Sequence, residues 1–193
     1  MQSIKRSIIL LLLATFVLVP QTPPRMPLAF PVNLNDSIVS WFAEPVRTAF
    51  RDLPEHLQEE VRCLAQNIYF EARSEPLEGQ IAVAHVTLNR TESPMFPQTI
   101  CGVVKQTRKN VCQFSWWCDS RLRNAAINNH LANNDLYNSI KQLAISVVLT
   151  RHIRDDITKG ALFYHANYVH RNRLGSMQLV RTTTIGQHVF YRM

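Results

Sequence analysis

The segment that decides the fold is residues 55–90, EHLQEEVRCLAQNIYFEARSEPLEGQIAVAHVTLNR. Its first half carries large apolar side chains at spacings of four, three and four residues, namely Leu57, Val61, Leu64 and Ile68. This periodicity is typical of one buried face of an α-helix. Pro54 suits the first turn of that helix, and Pro76 ends it. Residues 78–92 repeat the helical spacing, so the segment predicts two consecutive helices.

Glu71 stands at the end of the apolar face of the first helix. It follows Leu64 by seven residues, which is about two helical turns, and it follows Ile68 by three. Burial disfavours the charged form of a carboxyl and so raises its pKa, and a carboxyl that stays protonated near neutral pH can act as a general acid. Asn67, one turn earlier, is within reach of a hydrogen bond to Glu71.

Periodicity alone favours a simpler interpretation of the same residue. In that interpretation Glu71 forms an ion pair with Arg73, or with another cation, at the end of the helix and has no chemical role. Glu75 and Glu78 flank Pro76 and are interpreted as solvated charges at the helix boundary. The choice between an acid and an ion pair therefore depends on residues further along the chain.

The rest of the chain predicts more helix and a small amount of β structure. Residues 99–106 and 136–149 are predicted helices, and residues 107–124 are a predicted loop. Near the C-terminus, ALFYH (161–165) and IGQHVFYR (185–192) are short and rich in aromatic or β-branched residues, which favours strands or extended segments. The predicted fold class is mainly α with a small β element (α+β).

The N-terminus has the composition of an export signal. Lys5 and Arg6 precede an apolar run over residues 8–19, and prolines follow it. Such a run has about the length of the hydrophobic region of a signal peptide and is short for a membrane span. No small-x-small cleavage site follows directly, so a cleaved signal, a membrane tether through residues 7–19 and a later-released anchor all stay open.

This pattern divides the chain into three predicted segments. Residues 1–24 are a signal peptide or anchor with a Pro-rich tether, and residues 25–54 are a linker with a short amphipathic helix near 37–50. Residues 55–193 form the folded domain. The predicted location is the periplasm or the cell envelope, because the segment that precedes the domain directs export.

Charge and cysteine content restrict the partners and the chemistry. The formal net charge of +7 suggests an anionic partner, but the basic residues are scattered and form no block, which argues against nucleic acid. Four cysteines, Cys63, Cys101, Cys112 and Cys118, permit two disulfides in three connectivities. Cys63 lies in a predicted helix and also fits a buried thiol. No paired CxxC occurs, so a structural zinc site is poorly supported.

Five blocks of sequence carry a resemblance to a known family. They are LAQNIYFEARSEPLEGQIAVAHVTLNR (64–90), PQTICGVVKQ (97–106), CQFSWWCD (112–119), DITKGALFYH (156–165) and IGQHVFYR (185–192). In this order they resemble the SleB/CwlJ-type cell wall hydrolases, which are the spore-cortex-lytic enzymes and their relatives. The resemblance covers roughly residues 57–192. It implies a helical domain distantly similar to lysozyme and the lytic transglycosylases, so that residues 55–193 form the catalytic domain.

The resemblance also implies an activity and a catalytic residue. Family members cleave the peptidoglycan glycan strand between N-acetylmuramic acid and N-acetylglucosamine, and the glutamate of their FEA motif, here Glu71, is the acid. A lytic transglycosylase needs this one carboxylate and no cofactor or metal. Hydrolysis by water normally needs a second carboxylate, for which the candidates are Asp119, Asp155 and Asp156. The transglycosylase is preferred; a water-using muramidase and a non-catalytic wall-binding protein of the same fold are the alternatives.

Several other residues match the family blocks, and each has a structural alternative. The predicted substrate-binding residues are Gln113, Ser115, Trp116, Tyr164, His165 and His188. Trp116 fits a sugar-stacking ring and a core residue equally well, and Tyr164 is in a position to bond either the substrate or Glu71. His165, His170 and His188 fit no standard zinc spacing, so no metal is expected. His85, Asn89 and Arg90 are interpreted as structural.

Overall fold

The first long helix lies at the centre of the fold in the computed structural model, which describes residues 48–128, 130–169 and 178–193. After a 3-10 turn at Phe50–Asp52, the helices in these ranges are α1 (Glu55–Ala72), α2 (Leu77–Glu92), α3 (Ile100–Val104), α4 (Ser115–Cys118), α5 (Ser120–Ile127) and α6 (Asp135–Thr150). Helices α2, α3 and α6 all pack against α1. Val61, Leu64 and Ile68 of α1 are fully buried in this packing, as their spacing predicts.

A small antiparallel sheet closes the C-terminal side of the helices. Earlier in the chain, β1 (Thr107–Arg108) and β2 (Val111–Cys112) form a separate short hairpin. The strands of the C-terminal sheet are β3 (Phe163–Ala166), β4 (Val180–Ile185) and β5 (His188–Arg192). Strand β5 lies between β3 and β4, and it pairs Phe190 with Tyr164 of β3. The fold class predicted from sequence, mainly α with a small β element, is confirmed.

The predicted loop over residues 107–124 is wrong. The segment contains the β1–β2 hairpin and helices α4 and α5. Lys109 and Asn110 both have positive φ, 47° and 63°, and form the two-residue turn that joins the hairpin strands. Asp119 accepts hydrogen bonds from the backbone N–H groups of Arg121 and Leu122 and so caps α5. These elements are too short to give a hydrophobic period, which is why the pattern predicts a loop.

The structure contains two disulfides, and these give one of the three connectivities that the sequence left open. Cys63 of α1 pairs with Cys101 of α3, and Cys112 of β2 pairs with Cys118 of α4. The interpretation of Cys63 as a buried free thiol is therefore wrong. The first disulfide joins two helices, and the second closes a short loop that carries residues 113–117.

No helix within the described ranges has the length and apolarity needed to cross a bilayer. The apolar N-terminal run, the Pro-rich tether and most of the helix predicted near 37–50 lie outside the described residues.

Replacing Cys63 and Cys101 by alanine is expected to lower the free energy of unfolding by about 3 to 4 kcal/mol, because a long cross-linked loop restrains the unfolded chain. The pair is separated by 38 residues, whereas Cys112 and Cys118 are separated by 6. Replacing the second pair is the matched control, with an expected loss of about 2 kcal/mol. Urea denaturation measures both values, and a larger loss for the short loop would contradict this account.

Candidate active site

An open cleft of about 570 Å³ joins the end of α1 to the C-terminal sheet. The cleft is lined by Glu71 of α1, Arg90 of α2, the segment 112–115, Tyr164 and His165 of β3, and His188 of β5. Five of the six predicted substrate-binding residues and the predicted acid therefore come together. Their contact with a substrate stays a prediction.

Glu71 is partly buried in the cleft wall and accepts a hydrogen bond from Tyr164. The phenol Oη of Tyr164 lies 3.1 Å from Oε2 of Glu71. Burial raises the pKa of Glu71 above its usual value, while the Tyr164 hydrogen bond and the charge of Arg90 act against that rise. Because burial outweighs both, the carboxyl is biased towards its protonated form.

Arg73, the first partner named in the helix-end interpretation, does not form an ion pair with Glu71. Its guanidinium lies over the ring of Tyr69, 5.2 Å from the ring centre, and donates to the Tyr69 carbonyl at 3.4 Å. The cation whose charge acts on Glu71 is Arg90 instead. The simpler interpretation is therefore wrong for Arg73 as the partner, since α1 turns Arg73 towards its own preceding turn, and Arg90 corresponds to its alternative of another cation.

Tyr164 is suited to donate to Glu71 over the whole neutral range. Burial and the nearby Glu71 carboxyl raise the pKa of Tyr164 well above its usual value, so its phenol keeps its proton. The ring meets His188 edge-on at 5.1 Å and packs against Phe190 at 5.8 Å. Neighbouring residues of β5 therefore hold the phenol in place beneath the acid.

Asn67 does not bond Glu71, contrary to expectation. It is fully buried, donates to Thr87 Oγ1 at 3.2 Å and accepts from Trp116 Nε1 at 3.1 Å. Trp116 itself is 3% exposed and stacks on Phe70 with ring centres 4.7 Å apart. The prediction of Trp116 as a sugar-stacking ring is wrong, because its indole is buried in the core and its N–H donates to Asn67.

The neighbours of Trp116 do reach the cleft. Gln113 and Ser115 are exposed in its wall, on either side of the buried Phe114. The Cys112–Cys118 disulfide closes the loop that holds them, and the backbone N–H of Gln113 donates to the Gln106 carbonyl at 2.9 Å. Trp116 therefore anchors the segment, and the two polar residues lie on its accessible side.

Glu75 is not the solvated helix-boundary charge that the sequence suggested. Its side chain is buried at 9% exposure, and its Oε2 accepts the backbone N–H of Gln187 at 2.8 Å. Its Oε1 lies 3.9 Å from His188 Nδ1. Burial lowers the pKa of His188, with Glu75 acting in the opposite direction and His165 adding to the lowering. His188 is thus neutral at neutral pH where it faces the cleft.

His165 is held by both of its ring nitrogens. Nε2 lies 3.0 Å from Tyr191 Oη and Nδ1 lies 2.8 Å from the Ala166 carbonyl oxygen. Its ring also stacks on Tyr191 at 5.3 Å. His85, by contrast, is 4% exposed and lies in the interior with Nδ1 3.0 Å from Asp156 Oδ1, in agreement with its structural interpretation.

The second carboxylates considered for a water-using reaction lie elsewhere. Asp119 caps α5, Asp155 is exposed, and Asp156 accepts hydrogen bonds from Asn89, Thr158 and Gly160. Although burial opposes it, the hydrogen bonds from His85, Thr158, Gly160 and Asn89 hold the pKa of Asp156 well below its usual range. Among the described residues, Glu71 is the one carboxylate in the cleft wall. Residues 170–177 contain no Asp or Glu.

Arg90 is a charged cleft residue that the sequence interpretation treated as structural. Asn89 is structural as expected, since it donates to Asp156 and to the Ala161 carbonyl, but Arg90 lines the cleft beside Glu71. It is 3% exposed. The spacing in the sequence indicates an inward position for Arg90, because it follows the buried Val86 by four residues and Val83 by seven and so shares their helical face.

Gly186→Ala is expected to disturb the Glu75–His188 side of the site. Gly186 has φ +55°, and an added Cβ would overlap Glu75 Oε2, whereas Gly160 has φ +77° and no atom within 4 Å of an added Cβ. Gly160→Ala is the matched control and should lose about 1 to 2 kcal/mol from backbone strain alone. Gly186→Ala should lose at least about 1 kcal/mol more from overlap. Urea denaturation gives both values, and equal losses would contradict a tight Glu75 pocket.

Comparison with known proteins identifies the family. The cell wall hydrolase model matches residues 74–191, more than half of the chain, and begins just after Glu71. A spore cortex-lytic enzyme of Bacillus subtilis (strain 168) is 56% identical over 45 residues, which are 23% of this chain and 15% of that protein. Another from Oceanobacillus iheyensis is 49% identical over 51 residues, 26% and 18% of the two chains. The match therefore spans less than a fifth of these curated relatives.

A solved structure extends the similarity to the whole domain. The catalytic domain of the germination-specific lytic transglycosylase SleB from Bacillus anthracis is 26% identical, with a TM-score of 0.50 over 77% of this chain and 100% of that one. The resemblance in the sequence blocks and the lysozyme-like fold class are both confirmed. The chain belongs to the cell wall hydrolase family, of the SleB/CwlJ type.

Proposed function

We propose that this chain cleaves the peptidoglycan glycan strand between N-acetylmuramic acid and N-acetylglucosamine as a lytic transglycosylase, with Glu71 as the single general acid and base. The observation that carries the proposal is the cleft-wall carboxyl that burial biases towards protonation and that Tyr164 Oη contacts at 3.1 Å. Family membership supports the substrate, and the named activity of the similar Bacillus anthracis domain supports the reaction.

In the first step Glu71 acts as an acid. Its proton passes to the glycosidic oxygen as the bond from that oxygen to the muramic acid anomeric carbon breaks. The carboxyl becomes a carboxylate, which the Tyr164 phenol stabilises by the hydrogen bond that it already donates. Since Tyr164 keeps its proton at neutral pH, it remains a donor in this step.

In the second step the same residue acts as a base. The 6-hydroxyl oxygen of the muramic acid forms a bond to the anomeric carbon, and its proton returns to Glu71. The product is a 1,6-anhydro ring, no water is consumed, and the acid is regenerated. One carboxylate is sufficient for this sequence, which matches the single carboxylate that the described cleft wall offers.

The proposed setting is the cell envelope. Two disulfides favour an oxidising compartment, and the basic residues followed by an apolar run at the N-terminus are typical of an exported protein. Cell fractionation with detection of the chain in the envelope or medium tests this location, and confinement to the cytoplasm would contradict it.

Glu71→Gln is expected to reduce cleavage of purified peptidoglycan roughly 100-fold or more, because an amide cannot supply the proton. Mass spectrometry of wild-type digests should find 1,6-anhydromuramic acid ends. Reducing muramic acid ends would instead indicate the water-using muramidase. Unchanged cleavage by the variant would exclude Glu71 as the acid. A wild-type protein that binds sacculi without cutting them would indicate the non-catalytic alternative. Glu78→Gln, at a partly exposed carboxyl outside the cleft wall, is the matched control.

Tyr164→Phe is expected to shift the alkaline limb of the pH profile upward. The lost hydrogen bond favoured the charged form of Glu71, so its removal raises the Glu71 pKa and keeps the acid protonated to higher pH. The maximal rate should fall roughly tenfold or more, since the carboxylate formed loses a donor. Initial rates of peptidoglycan cleavage between pH 4 and 9, on the order of one reading per half unit, measure both effects. A downward shift would contradict the assigned role.

A further inference from the structure

Arg90 is a buried guanidinium held rigidly in the cleft wall. Its Nε donates to the Leu162 carbonyl at 2.8 Å, and its charged group faces the rings of Phe96, Phe114 and Phe163 at 5.1, 5.2 and 5.9 Å. The side chain is 3% exposed. Such a cage fixes the position of the charge through cation–π attraction and excludes water from it.

One amino group of this guanidinium has no hydrogen-bond partner among the residues that the structure describes. Arg90 Nη1 is buried and makes no hydrogen bond to any described residue. Leaving a charged donor unsatisfied in the interior is costly, so an arginine kept in this state calls for a partner in another state of the molecule. Burial lowers the pKa of Arg90 to about 10, so the group remains a cation at neutral pH.

Glu71 is the group in the same cleft wall that gains a charge during the reaction. With the acid protonated there is little charge for Arg90 to meet, whereas proton donation creates a carboxylate beside it. We propose that Arg90 is a positioning residue whose free Nη1 amine receives the ionised Glu71 carboxylate after proton transfer and holds it ready to act as the base. This inference rests on the function proposed above.

The step moves no proton to or from Arg90. The proton leaves Glu71 for the glycosidic oxygen, the carbon–oxygen bond breaks, and the 6-hydroxyl proton later returns to Glu71. Arg90 supplies only a fixed positive charge and one N–H donor, which stabilise the carboxylate between these two transfers. The second donor to the carboxylate is the phenol of Tyr164, on β3.

The other ionisable groups around Glu71 are less suited to this role. His188 on β5 is neutral because burial lowers its pKa, and both ring nitrogens of His165 on β3 already have partners. Arg73, two residues after Glu71, lies over Tyr69. Glu75 lies beside His188 and would repel a carboxylate rather than stabilise it. Arg90 is thus the fixed cation among the described groups of the cleft wall.

The test compares neutral and charged replacements of Arg90 with a control at Arg73. In Arg90→Met and Arg90→Gln the Glu71 pKa should rise, because a nearby cation favours the charged form. The alkaline limb of kcat should move up by the same amount, and kcat should fall roughly tenfold or more with little change in KM. Arg90→Lys should leave the limb in place, and Arg73→Met should change neither quantity.

Two readouts separate this inference from the proposed function. Direct NMR titration of the Glu71 carboxyl in the free protein needs no activity, and an unchanged pKa in both neutral variants would overturn the inference. A raised KM with an unchanged pH limb would also overturn it, since Arg90 would then bind the substrate. Glu71→Gln tests the proposed function independently. Thermal melting checks that each variant is folded. If Arg90→Met does not fold, Arg90→Gln serves as the neutral variant, because its amide keeps a donor for the Leu162 carbonyl.

Discussion

The hydrogen bond from Tyr164 to Glu71 joins two parts of the chain that are 93 residues apart. The acid comes from the last turn of α1, and the phenol comes from the first sheet strand after the helices. The site therefore exists only when β3 docks against the end of α1. Because neither partner can be supplied by a neighbour in sequence, the helical core and the C-terminal sheet must both be folded before the acid has its donor.

A partly buried polar turn sets the position of that strand. Asp156 accepts the N–H of Gly160, the hydroxyl of Thr158 and the amide of Asn89, while Asn89 also donates to the Ala161 carbonyl. These bonds fix the chain on α2 immediately before β3 begins. The next residue of α2, Arg90, then donates to the Leu162 carbonyl. The turn thus satisfies its own polar groups and delivers Tyr164 to Glu71.

Local patterns predicted α1 well because its buried stripe is long and periodic, and two prolines mark its limits. They could not assign partners. Asn67 lies one turn from Glu71, yet its amide serves Trp116, because helix rotation turns it into the core. Glu75 follows the helix, and its place beside Pro76 predicts a solvated charge, yet the backbone N–H of Gln187, 112 residues away, donates to it. Such long-range contacts depend on how elements pack, and no spacing within one segment encodes them.

Glu71 works under opposing electrostatic demands. Burial favours the neutral acid, whereas the Tyr164 donor and the Arg90 charge favour the carboxylate. A site with burial alone would keep its proton and resist giving it up, because the product carboxylate would be desolvated and unpaired. A carboxyl paired directly with a cation would ionise at a lower pH and have no proton to give. A caged, partly unsatisfied arginine beside a buried acid lies between these extremes, because its attraction becomes strong only once the proton has left.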